Sequence, residues 1–281
     1  MVLVNPRGDA LWKSHVILNG RARDYHVRDF AGPLSIKSVV SGSATWETNE
    51  GRFEIGPGAC VVLNDRQPYS ITVESREVVE TLCLFFSRGF VEDAARAMTS
   101  GDAELLGEPR KDHAIEFHER LHADDGVLTP LLRKMHRGGD EGLVWQLAES
   151  LVMLHADTRK QAGKLPAAKA STREELWRRL QRGRNVIEGA LGEPLDLHQV
   201  AREATLSPYH FHRGFTRLFG ETPHTYLTRR RMERAAGLLR STDMPVTDVC
   251  FACGYQSLGS FSSLFRKHAG VAPAHFRRAR I

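Results

Sequence analysis

LHQVAREATLSPYHFHRGFTRLFGETPHTYLTRRRMERAAGLLRSTDMPVTDVCFACGYQSLGSFSSLFRKHAGVAPAHFRR, residues Leu197–Arg278, contains the same design twice. Phe211, Phe215, Gly220, Pro223 and Tyr226 recur 50 residues later as Phe261, Phe265, Gly270, Pro273 and Phe276. Slightly upstream the offset is 49, with Val200 matching Val249 and Ala204 matching Cys253, so the second unit has one more residue in its turn. Each unit reads as a short helix (197–204; 246–253), a tight turn, and a longer helix (208–219; 258–268). Ser207 and Ser257 stand where a hydroxyl caps the second helix. Ser207-Pro208, Thr222-Pro223 and Ala272-Pro273 mark starts, because proline in a first turn sacrifices no hydrogen bond. Gly220, Gly254 and Gly270 mark stops, where the left-handed conformation favours glycine. Helix, short turn and second helix is the helix-turn-helix arrangement.

Outward from this stretch, composition sets the frame. The 281 residues are 41% hydrophobic, 26% charged and 8% aromatic, ordinary globular values that exclude a disordered chain or a fibrous rod. The length suits two domains, each with its own core. No apolar run approaches the roughly 18 residues needed to cross a bilayer, and the N-terminus has no hydrophobic signal core, so a soluble cytoplasmic protein is expected. The four cysteines (Cys60, Cys83, Cys250, Cys253) are too few and too scattered for a disulfide scaffold. The net charge of +5 is uneven. Residues 1–170 hold 21 Lys+Arg against 24 Asp+Glu, whereas residues 171–281 hold 18 against 10, and 17 of those 18 bases are arginine. Such asymmetry fits a nucleic-acid-binding part joined to something else, or simply a solvated basic face. Arginine's planar fork suits phosphate and guanine edges.

The N-terminal part has a different texture. LSIKSVVSG (34–42), ATWET (44–48), RFEI (52–55), ACVVLND (59–65), YSITVES (69–75) and VVETLCLFF (78–86) are short strand-like runs divided by glycine-rich turns. They predict an antiparallel β-barrel or sandwich over residues 1–90. VEDAARAM (91–98), IEFHERLHA (115–123), TPLLRKMHR (129–137) and GLVWQLAESLVMLHAD (142–157) carry helical spacing, giving a helical appendage over 91–157. Leu143, Leu147, Leu151 and Leu154 form one stripe, which either contacts a second copy in a homodimer or packs onto the barrel. TRKQAGKLPAAKAST (158–172) has no apolar period and reads as an exposed linker before an all-α domain at 173–281.

The duplicated stretch, with its joining helix and terminal G-x-x-P-x-x-[FY]-R, resembles the DNA-binding domain of the AraC/XylS family of bacterial transcription regulators. The resemblance implies two recognition helices entering successive major grooves of double-stranded DNA. The joining helix 223–240 would be ~27 Å long, comparable with the ~34 Å groove repeat. It implies base contacts from Tyr209, His212 and Arg213 in the first unit, where Arg213 suits bidentate bonding to guanine and Tyr209 a thymine methyl. The matching positions in the second unit are Gly259, Ser262 and Ser263, with Gln256, Ser257 and Ser260 as further candidates. Bidentate contacts give ~1–3 kcal/mol of discrimination each, so the first unit is expected to set most of the specificity. Arg217, Arg229, Arg230, Arg266, Arg277 and Arg278 are candidates for the DNA backbone, which supplies affinity without sequence information. Of Arg229-Arg230-Arg231 at most two can share one helix face.

The strand-rich segment resembles the cupin-like sensor domain often placed before this DNA-binding domain, mainly around EIGPGACVVLNDRQPYS (54–70). A metal-binding cupin would have a histidine near the end of this motif and an earlier His-x-His. Here those places read Gln67-Pro68-Tyr69 and Ala44-Thr45-Trp46, so no metal and no other cofactor is expected. His15 and His26 stand alone. The barrel mouth would hold a small organic effector, with Tyr25, His26, Trp46 and Tyr69 as its polar-tipped aromatic candidates. Two weaker patterns are present. Cys250-x-x-Cys253 lies in an apolar helix, where buried thiols are the plainer reading than zinc. His118-Glu119-x-x-His122 fits H-E-x-x-H, with His113 nearby, but lacks a third ligand and also reads as a charged amphipathic helix.

The expected protein is therefore a sequence-specific regulator and not an enzyme. RNA polymerase, a small-molecule effector and a second copy of the chain would be its partners besides DNA. Two alternatives remain at this level: a cupin-type enzyme with a DNA-targeting module, favoured by convergent carboxylates or histidines around a metal, and a regulator controlled by a protein partner, favoured by a barrel packed solid. The operator, the effector and the sign of the output stay open.

Overall fold

The computed structural model describes residues 1–6, 10–99, 115–123, 126–163, 165 and 170–278. The chain divides into two compact units, Met1–Lys164 and Leu165–Ile281.

The first unit is a sheet covered by helices on one face. Its strands are β1 (Val2–Val4), β2 (His15–Ala31), β3 (Ser35–Ser41), β4 (Ala44–Thr48), β5 (Gly51–Ile55), β6 (Ala59–Leu63), β7 (Pro68–Phe85) and β8 (Leu121–Ala123). Its helices are α1 (Phe90–Thr99), α2 (Leu128–Gly138) and α3 (Glu141–Ala162). β2 and β7 pair antiparallel from Val16↔Phe85 to Ala31↔Pro68. The other edge of β7 pairs with β3 at one end and β4 at the other. YSITVES and VVETLCLFF, separate in the sequence reading, thus belong to one strand. The exposed Ser75–Val78 segment bulges opposite Arg23, where the register shifts between Ala22↔Val79 and Asp24↔Glu74, and pairing resumes on both sides. β2 itself was missed because Arg21, Arg23, Asp24 and Arg28 mask its apolar positions.

The strand path β1-β2-β7-β3-β6-β8 does not return on itself, so the sheet is open where a barrel was expected. Alternation along the strands separates two apolar clusters. Ile36 of β3 and Leu82 and Leu84 of β7 face the helices, together with Val144, Leu147 and Leu151 of α3. Val39, Trp46, Phe53, Tyr69, Ile71, Val73 and Val79 face the other way.

Three further expectations change here. IEFHERLHA is not helical: residues 115–120 have no regular structure, and Leu121–Ala123 pair with β6 as an edge strand, Cys60 opposite His122. His118 and His122 therefore do not share a helix face, and the H-E-x-x-H geometry is lost; His113 lies outside the described residues. The leucine stripe is spent internally, with Leu147 and Leu151 fully buried and Leu143 and Leu154 packed against the same cluster, so it offers no dimer contact. Residues 158–162 continue α3 and residues 170–172 begin the next helix, within the stretch read as linker.

The second unit is helical: α4 (Ala170–Gly189), α5 (Leu197–Glu203), α6 (Pro208–Phe219), α7 (Pro223–Ser241), α8 (Val246–Ala252), α9 (Leu258–Ala269) and α10 (Pro273–Arg278). The duplication is visible atom by atom. Phe211, Phe215, Phe261 and Phe265 are fully buried. Phe215 meets Tyr226 edge-on at 5.5 Å, and Phe265 meets Phe276 edge-on at 5.3 Å. Cys250 and Cys253 are buried in the second unit's core beside Val249 and Phe261. Gly183 lets α4 lie against α6, since a Cβ there would stand 2.3 Å from the Phe211 ring.

Candidate nucleic-acid interface and effector cavity

The second helix of each helix-turn-helix is fixed at both ends by its own sequence. Ser207 Oγ accepts the His210 amide at α6, and Ser257 Oγ accepts the Ser260 amide at α9. Gly220 and Gly270 close the two helices at φ 77° and 78°. With one face held by two phenylalanines, the opposite face is presented outward. On α6 this face carries Tyr209, His212 and Arg213, all exposed, with Tyr209 at 66%. Near α9, Gln256, Ser257, Gly259, Ser260 and Ser263 are exposed and Ser262 is half-buried. The cap occupies one acceptor position of the Ser257 hydroxyl and leaves its proton free to donate. Leu258, an exposed apolar group at the start of α9, was overlooked, because as a helix-start residue it drew no attention as a contact.

The arginines divide sharply. Arg217 and Arg266 are exposed on α6 and α9. Arg229 and Arg230, expected on the DNA backbone, are instead internal braces. Arg229 bonds Glu221 at 2.7 Å and Glu233 at 2.7 Å and lies over the Tyr226 ring. Arg230, its side chain only 17% exposed, bonds Glu188 at 2.8 Å and also Glu233. Glu188 also accepts the Tyr226 hydroxyl, and burial pushes that phenol up to about 12. Burial opposes the charge of Arg230, but the Glu188 carboxylate more than restores it, holding the guanidinium above its usual range. Arg231 donates to the Leu191 and Glu193 carbonyls at 2.9 and 2.5 Å. Arg277 is half-buried and donates to the Met244 carbonyl through one of its nitrogens. The Arg278 side chain lies outside the described residues.

In the first unit, a cavity of about 460 Å³ opens on the sheet face away from the helices. Tyr25, Trp46 and Tyr69 line it with Leu18, Phe30 and Phe85. His26 does not line it: strand alternation turns it to the opposite face, where it pairs with Asp24 at 3.0 Å and Glu74 at 3.6 Å. His15 is a core imidazole accepting the Ser87 amide through Nδ1 at 3.2 Å. The sequence reading also missed Lys37. It is fully buried, donates to Tyr69 Oη at 2.8 Å, and lies 3.6 Å from the centre of the Phe85 ring. The signal was present in Ser35-Ile36-Lys37-Ser38-Val39, where alternation places Lys37 on the same face as Val39. At the motif end, Gln67 is bonded to Glu119 and to the Asn64 amide. Among the described residues no His, Cys, Asp and Glu side chains gather in threes as a metal site.

Comparisons with known proteins agree with this division. Residues 14–154 match the AraC-like ligand binding domain and residues 200–279 a helix-turn-helix domain. The chain is similar to the HTH-type transcriptional activator RhaS of Klebsiella pneumoniae (strain 342), 35% identical over 94 residues, 34% of each chain. RhaS of Enterobacter sp. (strain 638) is 36% identical over 94 residues, again 34% of each chain. The matched stretch thus spans about a third of the length of these curated relatives. Among solved structures, the C-terminal domain of AraT, a response regulator from Geobacillus stearothermophilus, is 34% identical with a TM-score of 0.36. That match covers 37% of this chain and 86% of the AraT chain. With an AraC-like ligand-binding domain over half its length and the helix-turn-helix domain behind it, the chain belongs to the AraC family of transcription regulators.

Proposed function

We propose that the protein is a sequence-specific DNA-binding transcription regulator whose N-terminal domain responds to a small organic effector. The observation that carries this is the pair of equivalently capped helices, α6 and α9, each anchored by two buried phenylalanines and exposing its opposite face. Arg213 reads a guanine, and Tyr209 and His212 add contacts on the same face. Gln256, Ser257, Gly259, Ser260, Ser262 and Ser263 give the second helix short, adaptable groups that follow the DNA with little discrimination. Arg217 and Arg266 hold phosphates. The cavity lined by Tyr25, Trp46 and Tyr69 takes the effector, whose differential affinity for two arrangements of the protein would supply the response. Similarity to proteins named transcriptional activators supports activation as the output and a regulator rather than an enzyme. Such a protein works in the cytoplasm and meets RNA polymerase there. Among the described residues no helix is long and apolar enough to cross a membrane. A homodimer would use a surface other than the leucine stripe; exposed Trp145 and Met153 of α3 are apolar groups available for it.

Selection of DNA fragments by the purified chain tests the reading. A defined motif should be enriched, Arg213→Ala should relax one guanine by tenfold or more, and Ser263→Ala should change little. Absence of any enriched motif would refute DNA reading, and equal losses in the two variants would refute the ranking of the two helices.

A further inference from the structure

Beneath the effector cavity is a charge without a counter-charge. Lys37 stands on β3 directly opposite Cys83 of β7, and both side chains are on the cavity side of the sheet. Its ammonium is wholly buried, bonded to one neutral phenol and packed on the Phe85 and Tyr69 rings. No carboxylate forms an ion pair with it among the described residues. A buried cation with no anionic partner carries a desolvation cost that one neutral hydrogen bond and two ring contacts do not offset fully.

The cavity wall repeats the pattern. Its described lining includes Arg21 and the tips of Tyr25 and Tyr69 but no aspartate or glutamate. The Trp46 indole N–H is buried without an acceptor. Tyr69 Oη accepts from Lys37, so the phenol still has its own proton to give, and an adjacent ammonium makes that O–H a stronger donor. Apart from the neutral polar groups of Asn5, Asn19, Thr81 and Cys83, the remaining surface is hydrocarbon, with Leu18, Val27, Phe30, Ile71, Val73 and Val79 in it. A site that offers donors and positive charge at one place and apolar walls elsewhere is complementary to an apolar body ending in an anionic acceptor.

We propose that the effector is an apolar monocarboxylic acid, whose carboxylate accepts from the Tyr69 hydroxyl with the Lys37 ammonium as the countercharge behind it. This rests on the reading of the cavity as the effector site and adds the ligand's chemical class. Tyr69 touches the acid; Lys37 is a positioning residue that acts through it. A neutral ligand of the same shape would leave the ammonium uncompensated and bind more weakly.

The test uses the full chain, calorimetry, and the shape-matched probes 4-phenylbutyrate and 4-phenyl-1-butanol. The acid is expected to bind the wild-type chain at least tenfold more tightly than the alcohol. Tyr69→Phe and Lys37→Met should each remove most of that preference while leaving the alcohol's affinity within about twofold, a split that general loss of packing would not produce. Leu18→Trp, which fills the cavity from β2, should weaken both probes. Equal affinity for acid and alcohol in the wild-type chain would overturn the acid class and leave the cavity reading standing. An acid preference untouched by either variant would overturn the roles of Tyr69 and Lys37. Binding of neither probe, or binding indifferent to Leu18→Trp, would overturn the proposal together with the effector reading of the cavity.

Discussion

Replacing Lys37 by methionine should stabilise the N-terminal unit at neutral pH, and the gain should vanish in alkali. Burial holds the ammonium's pKa at about 8, against 10.5 in the unfolded chain, with the Cys83 thiol opposing as a minor influence. At about 1.4 kcal/mol per pH unit, the charged form costs the fold ~3 kcal/mol near pH 7. Methionine has similar length and no charge, so it removes this cost. It also removes the bond to Tyr69, worth ~1 kcal/mol. The expected net gain is ~2 kcal/mol at pH 7. The sign follows from proton counting. Below pH 8 both folded and unfolded chains keep the proton and the cost is present in full. Between pH 8 and 10.5 the folded chain has lost the proton that the unfolded chain still binds, so wild-type stability rises relative to the variant. By pH 9.5 the advantage of Lys37→Met should fall to about 0.4 kcal/mol.

Urea melts at pH 7.0 and 9.5, followed by tryptophan fluorescence, measure this directly. Trp12, Trp46 and Trp145 lie in the N-terminal unit and only Trp177 in the other, so the signal chiefly follows the relevant core. The groups that titrate or carry charge around the ammonium, Tyr69 and Cys83, are unchanged in the variant, and burial raises both above their ordinary values. A variant less stable than wild type at pH 7, or a difference that does not change with pH, would show that Lys37 is not held as a costly charge. An acidic ligand would then relieve no energetic cost by meeting the ammonium.

The arginines give a contrasting pair of expectations. Arg217→Ala and Arg266→Ala should each reduce the slope of log K against log salt for DNA binding by about one, with thermal stability nearly unchanged. Arg230→Ala should leave that slope alone but destabilise the helical unit by ~3 kcal/mol, because the buried Glu188 carboxylate loses its cation. Denaturant melts and salt-dependent binding assays separate the two behaviours, and a slope change in Arg230→Ala would contradict its assignment as a brace. Gly254→Ala should lower the melting temperature of the helical unit. The residue has φ 74°, and a Cβ would stand 2.7 Å from Arg231 Nη2 and 2.9 Å from the Leu191 carbonyl, so a cost of at least ~1 kcal/mol is expected.

The helical half was legible because its signals are local and duplicated. Ser207 and Ser257, Gly220 and Gly270, and the paired phenylalanines each act within a turn or two of their own position, and finding them twice fixes their meaning. The sheet was harder because its pairings are distant. Nothing near Ser75–Val78 tells the reader that β2 carries the strand across its bulge. In IEFHERLHA (115–123) Phe117 and Leu121 stand four apart, a helical spacing, yet the free edge of β6 offers Leu121–Ala123 hydrogen bonds that an isolated short helix could not match. Trp46 and Tyr69 were found as aromatics at strand positions, whereas Lys37 was passed over because lysine is expected outside. Alternation along β3 was the stronger rule, and it placed the side chain within. His26 fails by the same rule, one residue out of step with Tyr25.

Charge counted along the chain is a poor measure of the charge a surface presents. The excess of arginine after residue 170 looked like a footprint for phosphate, yet much of it is committed inside the domain. Arg229 and Arg230 answer Glu221, Glu233 and Glu188, carboxylates supplied by α4, by the turn before α7 and by α7 itself. Arg231 and Arg277 satisfy backbone carbonyls, and Arg184 bonds the Tyr226 hydroxyl at 2.7 Å. Glu233 lies within four positions of both arginines, but Glu188 precedes Arg230 by 42 positions, where a linear scan would not seek it. What remains exposed on α6 and α9 is a shorter set of cations: Arg213, Arg217, Arg266 and Lys267. Each exposed cation stands on the same helix as the groups proposed to meet bases, so phosphate attraction and base contact would be delivered by one rigid element. Arg230 with Glu188 and Arg184 with Tyr226 tie α4 to α7, between the two helix-turn-helix units in the chain. The same residue type thus braces the fold at Arg229, Arg230 and Arg231, where carboxylates or carbonyls meet it, and stands exposed on α6 and α9 at Arg213 and Arg266.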